Sequence, residues 1–177
     1  MPAMHLHTDK CPATHGFTLA EVVVTIAVAA LFAGAAFAAN ERLLIALKAQ
    51  KETTAASMML QERMETFRSI SYSNVCDPAY VQTNIVSQAP HSEASLGNLK
   101  EQITISGYLL ASDGTSSTHV NQWVRKLPTI QRLDTNSTLA ANYDLVKVDI
   151  LLTWAGAGGR TRTRDLSAIF GKGNIGQ

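Results

Sequence analysis

The chain has 177 residues, with 15 Lys and Arg against 14 Asp and Glu, a formal net charge of +1. That is one domain's worth of sequence, and so small a charge excludes a global field that would draw in nucleic acid or an acidic partner. Hydrophobic residues make up 46% of the chain, but they are concentrated: residues 22–39 read VVVTIAVAALFAGAAFAA, with Thr25 as the only polar side chain.

The first sixteen residues are weakly basic, Lys10 being offset by Asp9. His5, His7, Cys11 and His15 have loose metal-ligand spacing, but no second pair completes a structural site, so no metal is expected. Residues 17–39 then form an apolar run of 23 residues. As a helix it spans about 34 Å, against a hydrocarbon core of about 30 Å. It can be a plain membrane anchor. It can also be a secretory signal cleaved after Ala38, since Ala36-Phe37-Ala38 fits the small-x-small pattern, although the run exceeds the usual apolar core of about 7–15 residues. Neither reading explains Glu21, because a carboxylate within a span is costly and by default functional, unless it sits at the headgroup level. Arg42, Lys48 and Lys51 follow the run, so a positive-inside count does not favour a cytoplasmic N-terminus.

After Ala39 the pattern turns amphipathic. Leu43, Leu44 and Leu47 lie within one turn, and Leu60, Met64 and Phe67 recur at helical spacing beside Arg63, Glu65 and Arg68. No Gly or Pro interrupts residues 35–77, so one continuous helix is expected from about Thr18 to Ser69, long for a globular helix. Met58, Met59 and Met64 are expected to fill core gaps against a sheet. Residues 71–100, rich in Ser, Asn, Pro and Ala, read as loop punctuated by Asp77-Pro78 and Ala89-Pro90. Ile103, Ile105 and Leu109 alternate, giving a strand over 101–111, with a turn at 112–115. Residues 119–133 hold a further strand, with Pro128 as an edge or break. Residues 143–154 alternate most clearly, through Val146, Val148, Ile150, Leu152 and Trp154; Gly156, Gly158 and Gly159 turn the chain, and 160–170 returns as a C-terminal hairpin. The fold class is α+β, a long N-terminal helix packed through its second half on a small antiparallel sheet. The expected organisation is 1–16 leader, 17–39 membrane-spanning half of the helix, 40–70 amphipathic half and 71–177 a β-rich globular domain.

The run Gly16-Phe17-Thr18-Leu19-Ala20-Glu21, followed directly by apolar residues, resembles the type IV prepilin signature: a Gly, an apolar residue, a Glu at the fifth mature position and an apolar helix. The resemblance is close over Gly16 to about Ala39 and looser to about Ile70, where Leu60–Glu65 is similar to accessory pilins and type II secretion pseudopilins. It implies that Gly16 ends a leader removed by a prepilin peptidase. Phe17 would then become an N-methylated terminus, and Glu21 would pair with the terminal amine of a neighbouring subunit during assembly. Such a pair is favourable at low dielectric, and removing one partner strands a charge. The resemblance further implies a lollipop-shaped subunit of a pilus or pseudopilus, held first in the bacterial inner membrane by a single span with its C-terminal domain in the periplasm. Its partners would be other pilin or pseudopilin subunits, the assembly platform and membrane lipid. Two features depart from the family: the leader is only weakly basic, and Gly34 stands in a helix lacking the mid-segment Pro of many major pilins. A cut after Gly16 removes Cys11 and leaves Cys76 alone, so no internal disulfide is expected in the mature chain.

No Ser-His-Asp set, nucleophile elbow or Gly-rich phosphate loop is legible, and His91 and His119 read as isolated, so neither enzyme nor cofactor is expected. Arg160, Arg162 and Arg164 alternate and share a strand face. They suit either a phosphate-binding stripe or a solvated face with Asp149 across the hairpin balancing one of them; the lack of interleaved aromatics favours the second, and nucleic acid is not expected as a partner. Asn136-Ser137-Thr138 fits a glycosylation sequon, a frequent chance match. The readings that stand against a fibre subunit are a membrane-anchored periplasmic binding or enzymatic domain, and a secreted protein cleaved after Ala38.

Overall fold

The computed structural model describes Gly16 and residues 18–108, 119–126, 128–134 and 143–173. The chain divides into two compact units between Leu43 and Leu44. Helix α1, Leu19–Ser69, runs through that division and agrees with the expected helix to within one residue. In the first unit every described side chain is exposed, including Val22, Ile26, Leu31, Phe32 and Phe37. This part of α1 is long and apolar enough to cross a membrane.

The second unit is α+β. Five antiparallel strands, β1 (Gly97–Tyr108), β2 (His119–Lys126), β3 (Thr129–Arg132), β4 (Leu145–Ala155) and β5 (Thr161–Gly171), lie in the order β3-β2-β1-β4-β5. Pro128 stands between β2 and β3, as its missing N–H requires. One sheet face carries the core. Val146, Val148, Ile150 and Leu152 from β4, Ile103 and Ile105 from β1 and Trp123 from β2 are almost wholly buried. They belong to the same core as Ala56, Met59, Met64 and Phe67 of α1, where burial begins at Ala49. The period of two on the strands and 3.6 on the helix meet in one apolar layer. Met58 departs from the expectation: it lies on the opposite side of the helix from the core and is 55% exposed.

Residues 71–100 are not the expected loop. Two short helices, α2 (Tyr72–Cys76) and α3 (Pro78–Val81), precede a π-helical turn, Gln82–Val86, and a 3-10 turn, His91–Ser95. Asp77 caps α3 by accepting from the Ala79 N–H at 2.9 Å, and Pro78 occupies its first turn. The dipeptide that reads as loop punctuation is therefore a helix start. Val75, Val81, Ile85 and Val86 are buried, and elements this short show no periodicity for a sequence reading to find. Strand β1 starts at Gly97, four residues earlier than expected, through an irregular register between Gly97 and Lys100 where Asn98 adopts a positive φ of 49°. Leu109 and the turn at 112–115 lie outside the described residues.

Candidate functional site

The expected processing and assembly residues stand at the start of α1. Gly16 is exposed, and a Cβ added to it meets nothing within 4 Å, so nothing in the described packing demands a glycine there. Phe17 lies outside the described residues. Thr18 precedes the helix, and Glu21 follows three residues later. The Thr18 N–H donates to Glu21 Oε2 at 3.0 Å, the Thr18 hydroxyl to the same oxygen at 3.1 Å, and the Glu21 N–H to Thr18 Oγ1 at 3.3 Å. This is a reciprocal capping box, which satisfies helix-terminal donors that would otherwise lack partners. The sequence signal for it was present in the spacing Thr-x-x-Glu. Both contacts to the carboxylate fall on Oε2, and Oε1 has no partner among the described residues. Thr25 donates its hydroxyl to the Glu21 carbonyl at 2.7 Å, which absorbs the one other polar side chain of the run.

A second charged constellation lies inside the globular unit. Arg63 of α1 donates through Nε to Glu101 Oε1 at 2.7 Å and through Nη2 to Glu101 Oε2 at 2.9 Å. Arg125 of β2 reaches Glu101 Oε2 through Nε at 2.8 Å and Glu93 Oε2 through Nη1 at 2.9 Å. The side chains of Arg63, Glu101 and Arg125 are at most 4% exposed. Burial alone would lower the Arg125 guanidinium, but Glu101 and Glu93 outweigh it and hold it above its ordinary value. Arg63 also donates to the carbonyls of Ile85 and Gln88, fastening the π-helical turn. Two carboxylates and two guanidiniums neutralise one another here, an arrangement that positions elements rather than moving protons. Arg63 is thus a core residue and not part of the polar face expected of it. The parity of the strands held the clue: Glu101 shares a face with Ile103 and Ile105, and Arg125 with Trp123.

The remaining candidates resolve simply. His91 is not isolated: its N–H and ring nitrogen both meet Glu62, the ring at 2.8 Å, which ties the 3-10 turn to α1. Cys76 is a buried free thiol, pushed up by burial, and the hydroxyl of its neighbour Tyr72 donates to the Tyr143 carbonyl at 2.7 Å. Asp149 does not balance the arginines. It lies opposite Ser167, with which it hydrogen-bonds, and pairs with Lys147 at 2.8 Å, while Arg162 and Arg164 lie opposite Trp154 and Leu152. No group of three metal-ligating side chains occurs among the described residues. His5, His7, Cys11, His15 and the 136–138 sequon lie outside them, and so does the side chain of His119. A cleft of about 570 Å³ is an open groove between residues 47–58 of α1 and the 3-10 turn; its lining brings no catalytic groups together.

Residues 12–37 match the family model described as the prokaryotic N-terminal methylation motif. The match contains Gly16, Phe17 and Glu21. No curated protein and no solved structure matches the chain.

Proposed function

From the premise that the chain is type IV prepilin-like at its N-terminus, we propose that it is a minor pilin or pseudopilin, cleaved after Gly16, N-methylated at Phe17 and assembled through its N-terminal helix. The prepilin-type motif belongs to structural pilin subunits rather than enzymes, and it implies processing by a prepilin peptidase and assembly with other pilin subunits. The long apolar helix is consistent with anchoring in the inner membrane. Within this reading, residues 1–16 are the leader, 17–39 the span, and the globular part lies in the periplasm until the subunit leaves the bilayer for a pilus or type II secretion pseudopilus.

The observation that carries the proposal is the methylation-motif match over Gly16, Phe17 and Glu21. The capping box gives it a mechanism. While the leader is attached, residue 17 has no amine. Cleavage creates one, next to a carboxylate already oriented by Thr18 and with Oε1 left open. A neighbouring subunit's amine placed against that oxygen neutralises both charges in a medium of low dielectric. Glu21 therefore serves two purposes in sequence: it closes its own helix, then receives the neighbour.

Mass spectrometry of the mature N-terminus tests the reading. An N-methyl-Phe17 start is expected. An intact Met1 would identify a plain anchor, and an Ala39 start a secreted protein. Gly16→Ala is expected to leave full-length precursor. Glu21→Leu is expected to be processed yet enter fibres a hundredfold or more less well, since stranding a buried charge costs about 3–5 kcal/mol. Normal incorporation of Glu21→Leu would sink the pairing.

A further inference from the structure

The turn joining β4 to β5 has features that the processing and assembly roles do not use. Gly158 and Gly159 adopt positive φ of 80° and 75°, which only glycine takes without strain. The Gly156 N–H donates to the Arg160 carbonyl at 2.8 Å, and the Gly159 N–H to the Gly156 carbonyl at 3.1 Å. The buried carboxylate of Glu52 on α1 accepts from the Ala157 N–H at 2.9 Å, fixing the turn against the helix. A Cβ on Gly158 would lie 4.0 Å from Ile45. The hairpin tip is thus held beside residues 45–52 of α1, at the very beginning of the globular unit.

Around this tip the charge is one-sided. Arg160 follows the glycines, and Arg162 and Arg164 continue along β5 on the face shared with Trp154. Lys48 and Lys51 are exposed on the adjoining helix. None of the three arginine side chains has a hydrogen-bond or ion-pair partner among the described residues. Glu52 is occupied by the turn, and Asp165 points to the other face of β5. Upstream, Glu41 and Arg42 cancel in sequence.

Ile45 is only six residues beyond Ala39, where the apolar run ends. Six residues span about 9 Å as helix and about 21 Å at full extension. The headgroup layer on each side of a bilayer is several ångströms deep, and electrostatic attraction persists for about 8–10 Å beyond it. The chain itself therefore tethers this cationic tip within reach of the lipid surface.

We propose that the β4–β5 turn, with Arg160, Arg162, Arg164, Lys48 and Lys51, binds the anionic headgroups of the membrane that holds the unassembled subunit. The contact forms while the apolar segment is in the bilayer and is given up when the subunit is extracted. Guanidinium groups suit this task because their forked donors match phosphate oxygens, and basic residues beside a span are attracted to anionic lipid. A membrane is favoured over nucleic acid because the tether supplies a lipid surface at high local concentration, whereas the site lacks the aromatic platforms on which bases stack. The proposal rests on the apolar segment being a membrane span.

Hydrogen exchange on the full chain in lipid nanodiscs tests it. In discs containing phosphatidylglycerol, exchange over residues 156–164 is expected to slow on the order of tenfold relative to neutral phosphatidylcholine discs. Raising salt from about 0.1 M to about 1 M, which shortens the screening length from about 10 Å to about 3 Å, is expected to abolish the difference. So is the triple change Arg160→Gln, Arg162→Gln and Arg164→Gln, which keeps most of each aliphatic stem. Lys48→Gln with Lys51→Gln, made on the helix alone, is expected to reduce it without touching the turn. Equal exchange in both lipids, with the chain co-eluting with the discs, overturns the headgroup contact and leaves the proposed fibre role standing. Failure to co-elute overturns the membrane premise of both. Protection by a single-stranded oligonucleotide but not by anionic lipid overturns it in favour of nucleic acid.

Discussion

The two ends of helix α1 handle polarity in opposite ways. Between Thr18 and Leu43 apolar side chains face outward and the lone acid of the apolar run is tied to its own backbone. From Ala49 onward the helix turns apolar side chains into a core and carries two charged residues, Glu52 and Arg63, in with them. Among the described residues nothing covers the hydrophobic surface of the first stretch, which is long and apolar enough to cross a membrane. The second is self-sufficient, and its buried charges are affordable because every carboxylate among them meets a guanidinium or a backbone N–H. One element therefore belongs to two energetic regimes, and substitutions of similar size should read differently in each.

The largest expected effect breaks the self-sufficient regime. Glu101→Ala removes the carboxylate shared by Arg63 and Arg125, leaving the buried Arg63 guanidinium with no carboxylate and Arg125 with Glu93 alone, which should cost about 3–5 kcal/mol. Denaturant unfolding of the chain in detergent measures it; a loss below about 1 kcal/mol would falsify the view that this network organises the core. Asp134 gives a smaller, pH-dependent effect. Burial opposes its charged form, but the hydrogen bond and charge of Arg132 and the Gln122 N–H outweigh that and hold its carboxyl below the ordinary value of 3.8. Its folded pKa being depressed, its stabilisation is complete above that ordinary value and is lost as pH falls through the folded one. At neutral pH, Asp134→Asn should cost about 1 kcal/mol, and the gap between wild type and variant should close when unfolding is repeated at progressively lower pH below 3.8. A gap independent of pH would place the effect in packing instead. The smallest effect lies in the outward-facing stretch. Leu31 is 75% exposed, so Leu31→Ala should leave the unfolding midpoint of the globular part unchanged while weakening retention of the chain by lipid vesicles. A shifted midpoint would show that this stretch contributes to the core after all.

Legibility in the sequence followed the same division. The helix and the strands β1, β4 and β5 were readable because each repeats a period long enough to show: eleven residues in β4, with Val146 to Trp154 alternating; the single strand expected over 119–133 is two, β2 and the four-residue β3, on either side of Pro128. The N-terminal methylation motif was readable because GFTLAE is a compact local signal. What escaped was set by contacts across the chain. Arg63 and Glu101 are 38 residues apart, and each alone looks like an ordinary surface charge. The turns within 71–100 are shaped by Arg63 and Glu62 reaching in from α1, so their own residues carry little of the instruction. The assignment of Asp149 to the arginine stripe failed on register alone: pairing across the hairpin sets Arg162 against Trp154, five residues along the ladder from where Asp149 meets Ser167, and an odd separation puts the two pairs on opposite faces.

The hydrogen bond from the Ala157 N–H to Glu52 joins residues 105 apart in sequence, and it has a meaning in time. During synthesis Glu52 emerges long before its partner. At about 5–20 residues per second, about 5–20 s separate the two. For that interval Met59, Met64 and Phe67 have no β4 to cover them, and the helix must wait with its inner face bare. The chain's last hairpin completes the shelter of its first element, so a nascent chain arrested before Ala157 would present that inner face to whatever apolar surface or chaperone lies nearby.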